Sequence, residues 1–250
     1  MEITRRALLQ AGVATATVSG RERGASSSGE SRRSHSTLSR SLILVRSLPR
    51  LRNYSPGKGA ELSSVWRTRQ FEYQWLRALS HRYADFWQAT EDALVFAAKS
   101  LKLDLTRAQR DQLMGMYLVL PTWPDVPQAL GSLRQRGIRL AILSNATLNI
   151  LNGGLHKSGL QGMFEHVLST DQIKSYKPDP RAYQLAVDAF QLRREEIGFV
   201  AFGGWDVAGA KAFGFPTFWV NRQQVPPEEL GVSADGTGTT LNELLKFLEG

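Results

Sequence analysis

Arg139-Leu140-Ala141-Ile142-Leu143-Ser144-Asn145 is a short apolar run that stops abruptly on a hydroxyl and an amide. A run this short, apolar without a helical period, reads as a strand buried on both faces. Outward from it the pattern alternates. Val126 to Arg136 has helical spacing before it, and Leu148 to Lys157 after it. His166 to Ser169 reads as strand, Arg181 to Phe190 as helix, Phe199 to Phe202 as strand, Val207 to Phe213 as helix and Thr217 to Val220 as strand. Repeated strand and helix with apolar strands predicts an α/β fold whose parallel sheet carries helices on both faces. In such sheets ligands bind beyond the carboxyl ends of the strands, so the residues just after each strand become the site candidates.

Upstream of Pro121-Thr122-Trp123-Pro124 the pattern is helical only. Leu62 to Leu79, Asp85 to Leu101 and Thr106 to Leu120 carry apolar residues at helical spacing, with Thr106 placed as an N-cap. This predicts a helical cap over residues 56–122 on an α/β core over 123–250. The chain has 250 residues, enough for that division. It has no cysteine, which excludes disulfides, thiolate metal sites and a cysteine nucleophile. No apolar stretch is long enough to cross a membrane as a helix.

The formal charge of +8 is unevenly spread. Residues 1–55 hold ten Arg and three Glu, so the remainder is nearly neutral. Within that segment, Thr4-Arg5-Arg6-Ala7-Leu8-Leu9-Gln10, followed by small residues including Ala14 and Ala16, resembles a twin-arginine export signal over residues 1–20. It predicts a periplasmic or secreted protein; without the signal the chain is cytoplasmic. Residues 21–55 contain ten Ser and eight Arg and no Asp, a composition expected of a disordered basic segment.

The strand ends carry further polar groups. Lys177-Pro178-Asp179-Pro180-Arg181-Ala182-Tyr183 sets a cation and a phenol at the start of a helix, and Gly203-Gly204-Trp205-Asp206 sets a carboxylate after a strand. Together with Ser144-Asn145, and with Trp66 to Arg77 and Arg82-Tyr83-Ala84-Asp85-Phe86-Trp87 in the helical insert, this order resembles the haloacid dehalogenase superfamily, in its (S)-2-haloacid dehalogenase branch, over residues 56 to about 222. The resemblance implies a Rossmann-like core with a helical cap and hydrolase chemistry without a cofactor. In that chemistry an Asp at the end of the first strand displaces halide from C2 of a 2-haloacid, and water hydrolyses the resulting ester to a 2-hydroxy acid.

Carried over by position, the resemblance assigns Ser144 and Asn145 to the substrate carboxylate and the neighbouring backbone. Lys177 keeps the nucleophile ionised, and Arg67 binds the halide or the substrate carboxylate. Tyr183 and Asp206 orient the lysine and the attacking water, while Trp205 walls the pocket. Each residue also has an ordinary structural reading. Ser144 could cap a helix, Lys177 and Tyr183 could sit on the surface beside a turn, Asp206 could cap the helix at Val207 with Trp205 as core, and Arg67 could lie on a solvated face. Their joint occurrence at successive strand ends favours the functional reading.

Two departures stand out. Ala201, Phe202 and Gly203 replace the polar residues that the family places before its acid, removing a water-positioning hydroxyl and amide. The same stretch offers no second carboxylate for the metal of the superfamily's phosphatases, so no metal site is expected. The larger departure is the nucleophile itself: the first Asp in the chain is Asp85, inside the insert. The apolar run Leu42-Ile43-Leu44-Val45 is followed by Arg46-Ser47 instead of an acid.

A shift of reading frame accounts for this. With TCN, CGN and CTN codons for Ser, Arg and Leu, a codon formed from the last base of one triplet and the first two of the next turns Arg33 to Thr37 into apolar, small, Phe or Leu, and Asp if Ser36 is TCG. The pattern then continues small and apolar by turns to Ser41. That is how the family's nucleophile strand reads. The expectation is that residues 21–55 are out of frame, through a sequencing error or in a pseudogene, and that the frame resumes near Pro56-Gly57-Lys58-Gly59.

The sequence therefore predicts a 2-haloacid dehalogenase architecture without its nucleophile. The alternatives are an inactive member that binds a small carboxylate, and a superfamily phosphatase. A nucleic-acid or membrane-surface binder is disfavoured, because the basic arm has no interleaved aromatic residues and the body has no basic stripe. The expected partner is a small 2-haloacid, with no nucleic acid and no membrane span, and a homodimer is left open.

Overall fold

A computed structural model describes residues 58–119 and 122–249, together with the backbone of residues 7–11. Six strands form one parallel sheet: β1 (Ala7–Ala11), β2 (Arg139–Ser144), β3 (His166–Ser169), β4 (Ile197–Ala201), β5 (Thr217–Val220) and β6 (Gly236–Gly238). Their order across the sheet is β3-β2-β1-β4-β5-β6. β4 and β5 are buried along their whole length, as expected of strands covered on both faces.

The alternation of side chains along each strand sorts residues between two helical layers. Leu140, Val200, Phe218 and Val220 point to one face and pack on α4 (Val126–Gln135) and α8 (Leu241–Phe247) through Ala129, Leu130, Leu133, Leu241 and Leu244. Ala141, Leu143, Phe199, Ala201 and Trp219 point to the other. There they meet Tyr183, Ala186 and Phe190 of α6 (Pro180–Phe190) and Val207 and Ala210 of α7 (Gly204–Phe213). The remaining core helix, α5 (Leu148–Lys157), follows β2 and buries Ile150 and Leu151.

The cap consists of α1 (Gly59–Leu79), α2 (Phe86–Ser100) and α3 (Arg107–Gly115), closed by a 3-10 turn over Met116–Leu118. Its interior is Leu62 and Trp66 against Ala93, Leu94, Ala97, Leu113 and Met114. Asp85 caps α2 by accepting the Gln88 amide at 2.8 Å. Thr106 and Gln109 form a reciprocal capping box on α3. Cap and core meet where Phe86 and Tyr176 pack with Ile142, Ala146 and Ile150.

The parallel α/β core and helical cap agree with the sequence reading, and four details differ. The largest is β1. Ala7–Ala11, read in the sequence as the apolar part of an export signal, is a central strand, with Leu9 opposite both Ala141 of β2 and Phe199 of β4. The core is thus not confined to residues 123–250. An apolar strand and the apolar part of a leader have the same local composition, and only the two distant partners separate them. Second, the helix expected over Thr106 to Leu120 ends at Gly115. Third, α7 begins at Gly204 and not at Val207, and the strand before it is Ile197–Ala201 and not Phe199 to Phe202. Fourth, β6 and α8 were not anticipated. The Ser/Arg-rich segment 21–55, the Leu42 to Val45 run and the reading-frame expectation lie outside the described residues.

If β1 is the central strand, deleting residues 1–11 leaves β2 and β4 without the neighbour each pairs with, exposing backbone groups in the middle of the sheet. The deletion variant is expected to lose its cooperative thermal transition in near-UV circular dichroism. An unchanged transition overturns the placement of β1.

Candidate active site

Parallel strands bring their carboxyl ends to one side, and the polar residues after β2 and β4 meet there. Lys177 comes from the segment joining the 3-10 turn Thr170–Ile173 to α6; Asp206 lies in the first turn of α7. Their side chains form an ion pair at 2.7 Å, with Asp206 fully buried and Lys177 3% exposed. Burying two charges is costly unless their remaining hydrogen-bonding positions are filled. Here Lys177 Nζ also approaches the Leu143 carbonyl at 3.3 Å, and the second oxygen of Asp206 accepts the Tyr183 hydroxyl at 2.9 Å. The ammonium lies 5.5 Å from the Phe199 ring centre and 5.7 Å from that of Trp205, within reach of both aromatic quadrupoles.

Tyr183 reaches Asp206 because α7 has no side chain in the way. A Cβ added at Gly209 would stand 2.2 Å from the Tyr183 hydroxyl oxygen and 2.7 Å from Pro178 Cβ. Burial, then the Asp206 charge and the hydrogen bond to it, push the Tyr183 phenol well above its ordinary value. It stays protonated and donates.

The loop after β2 is built with equal density. The Ala146 amide donates to Ser144 Oγ at 3.1 Å, and Ser169 Oγ donates to the Ala146 carbonyl at 2.8 Å. Asn145 Oδ1 accepts the Lys177 amide at 2.8 Å and Thr170 Oγ1 at 3.4 Å, while its Nδ2 donates to Gln74 of the cap at 3.0 Å. Trp75 of the cap donates its indole N–H to the Lys177 carbonyl at 3.3 Å. Trp205 is packed by cap aromatics, Phe71 at 5.6 Å and Trp75 at 6.0 Å between ring centres. Its own indole nitrogen is buried without a partner.

The structure thus joins Ser144, Asn145, Lys177, Tyr183, Trp205 and Asp206 in one cluster. It sets aside the structural readings of three of them. Tyr183 and Lys177 are interior residues, and Asp206 is inside α7, whose N-cap is Gly203. Arg67 lies on α1, seven residues before Gln74 and about 10 Å from it along the axis. Its charge acts on Tyr117, countering the burial that pushes that phenol up to about 12. Gln70, Gln74, Ser169 and Thr170 are not singled out by the sequence; amides and hydroxyls carry no local signal, although Gln70 and Gln74 both fall in the Trp66 to Arg77 stretch. Among the described residues no cluster of three or more His, Asp or Glu side chains could hold a metal.

This is the arrangement of a parallel α/β core whose buried polar site lies under a helical cap. Residues 34–214 match the family of haloacid dehalogenase-like hydrolases. The chain is 44% identical to the (S)-2-haloacid dehalogenase of Pseudomonas sp. (strain YL) over 194 residues, covering 78% of this chain and 84% of that protein. It is 43% identical to haloacetate dehalogenase H-2 of Moraxella sp. (strain B), covering 77% and 86%. Among solved structures, an L-2-haloacid dehalogenase superposes with a TM-score of 0.85 at 33% identity, covering 99% of this chain and all of the other. The L-2-haloacid dehalogenase of Xanthobacter autotrophicus with chloropropionic acid covalently bound gives 0.79 at 26%, covering 99% of both. The chain belongs to the haloacid dehalogenase-like hydrolases, in their (S)-2-haloacid dehalogenase branch.

Two outcomes follow from the buried pair. Asp206→Asn strands a buried ammonium and should lower stability by about 3–5 kcal/mol in urea unfolding; a loss under 1 kcal/mol would mean the pair is solvated. Because the folded pKa of Tyr183 lies above its unfolded value of about 10, the native state keeps a proton that the unfolded chain releases at higher pH. The stabilisation is complete below about pH 10 and declines above it. Tyr183→Phe should therefore flatten the fall in melting temperature between about pH 10 and 11, and an unaltered slope contradicts the assignment.

Proposed function

We propose that this architecture binds a short 2-haloalkanoic acid and, where a carboxylate follows the central strand, hydrolyses its carbon–halogen bond. The observation that carries the proposal is the Lys177–Asp206–Tyr183 set beside Asn145 at the strand ends. A lysine so placed supplies positive charge in a dry pocket, where it stabilises a nearby carboxylate nucleophile. Ser144 and Asn145 hold the substrate carboxylate, Arg67 takes the halide or that carboxylate, and Trp205 walls the carbon that reacts. The nucleophile's oxygen bonds to C2 as halide leaves with the bonding electrons. Water then adds to the ester carbonyl, releasing the 2-hydroxy acid and regenerating the carboxylate.

The present chain reads as lacking that nucleophile. No Asp precedes Asp85, and Ala7-Leu8-Leu9-Gln10-Ala11 brings no acid to the centre of the sheet. The proposal is accordingly that the present chain binds the 2-haloacid without turning it over, and that a chain with the frame restored between residues 21 and 55, whose nucleophile strand takes the central place that Ala7–Ala11 holds here, is active without metal. Loss of a covalent nucleophile removes most of an enzyme's acceleration, and neither Ser144 nor Tyr183 replaces a carboxylate in displacement at saturated carbon.

Export is a second, separate proposal, resting on the Arg5-Arg6 pattern alone. Cleavage near Ala14 or Ala16 removes β1, so an exported chain keeps its full sheet only if the leader stays attached.

Chloride release from (S)-2-chloropropionate by both chains, with and without chelator, tests the function. The expected result is none from the present chain and chelator-resistant release from the restored one. Release by the present chain refutes the missing-nucleophile reading, and chelator-sensitive hydrolysis of a phosphate ester by the restored chain moves the assignment to the phosphatases. The intact mass of periplasmic protein tests export: absence from the periplasm refutes it.

A further inference from the structure

Gln74 is fully buried on a cap helix, and its side chain reaches across to a polar group of the core. Its side chain has both ends occupied. Nε2 donates to the Gln70 carbonyl at 3.1 Å, one turn back along α1, and Oε1 accepts Asn145 Nδ2 at 3.0 Å. The first bond fixes which end of the amide is oxygen, and the second passes that choice to Asn145. With its NH2 held by Gln74, Asn145 must present its oxygen to the Lys177 amide, at 2.8 Å. Gln70 is fixed in turn: its Nε2 donates to Thr90 Oγ1 at 2.6 Å and to the Tyr117 hydroxyl at 3.2 Å. A line of buried polar groups therefore runs from the cap interior to the backbone of the lysine that pairs with Asp206.

An amide reversed at any point would set donor against donor or acceptor against acceptor in a dry interior, which is costly. We propose that Gln74 is a positioning residue: from the cap it sets the orientation of the Asn145 carboxamide, and so makes seating of the cap a condition for a formed carboxylate-binding site and a correctly placed Lys177. The role of Asn145 toward the substrate carboxylate rests on the proposed function; the orientation of Asn145 by Gln74 does not.

Two measurements separate these. The first needs no ligand. Residue-resolved amide exchange by NMR follows the Lys177 N–H, which is protected through Asn145. Gln74→Met keeps the length of the side chain and removes its bonds; it should speed exchange at Lys177 about tenfold, the scale of one buried hydrogen bond, with Phe199 in the sheet unchanged. Gln74→Glu, held as the neutral acid by burial, keeps an oxygen for Asn145 and a hydroxyl for the Gln70 carbonyl; it should restore protection, and it serves as the folded comparison if the methionine variant is unstable. Equal protection in Gln74→Met and the parent chain, or an equal loss in both variants, overturns the proposal.

The second measurement is binding of (S)-2-chloropropionate, read by quenching of tryptophan fluorescence. Gln74→Met should weaken binding about tenfold in the parent and leave it unchanged in an Asn145→Ala background, because the residue acts through Asn145. Additive losses refute that route. If the parent chain does not quench at all, the proposed function fails, while amide exchange still decides the positioning role.

Discussion

The pairing of Lys177 with Asp206 sets the terms for everything around it. Two charges with almost no exposure are tolerated only if every remaining lone pair and proton is spoken for, and each of those needs fixes another part of the core. The second oxygen of Asp206 requires Tyr183, and Tyr183 requires the absence of a side chain at Gly209. The phenol ring is then held by Phe199 and Phe215, stacked on each other 5.7 Å apart and both meeting it edge-on. The packing of α6 against α7 is in this sense the outer layer of one ion pair.

The cap completes the enclosure. Phe71 and Trp75 cover Trp205, Tyr83 packs on Tyr176 at 5.3 Å, and Tyr83 donates to Asp171 at 2.8 Å across the same seam. Excluding water lowers the local dielectric, so the lysine's charge is felt strongly over a few ångströms. An open cap would let water in and weaken that effect, besides removing the cap's hydrogen bonds to Asn145 and Lys177. The aromatic contacts supply area, whereas the Gln74–Asn145 bond supplies direction, since only a hydrogen bond distinguishes one end of an amide from the other.

How much could be read without coordinates depended on whether the signal was local. β3 and β5 were legible to the residue, as apolar runs between breaks, and α5 likewise from its period. Asp206 and Lys177 were found by their places after strands, but their contact with Tyr183 is a matter of tertiary packing. β6 is Gly-Thr-Gly, with no apolar residue to announce it; it holds its edge position by pairing with β5. The helix after it does leave a trace in the sequence, the Thr240 and Glu243 capping box. Gln70 and Gln74 left none, because a buried glutamine and an exposed one look alike until the opposing surface is known. Ala7–Ala11 was read for its composition, and composition does not record which strands lie beside it.

The strand order has a consequence for how the chain is made. β1 is synthesised well before its partners, which lie at residues 139–143 and 197–200. At usual translation speeds the two events are separated by on the order of 10–40 s. The cap, by contrast, is contiguous in sequence and can close on local contacts as soon as it emerges. The cap's own interior can therefore assemble while β1 still waits for its neighbours. During that interval the strand's backbone groups have no sheet partner, and it is open to capture by any other strand edge.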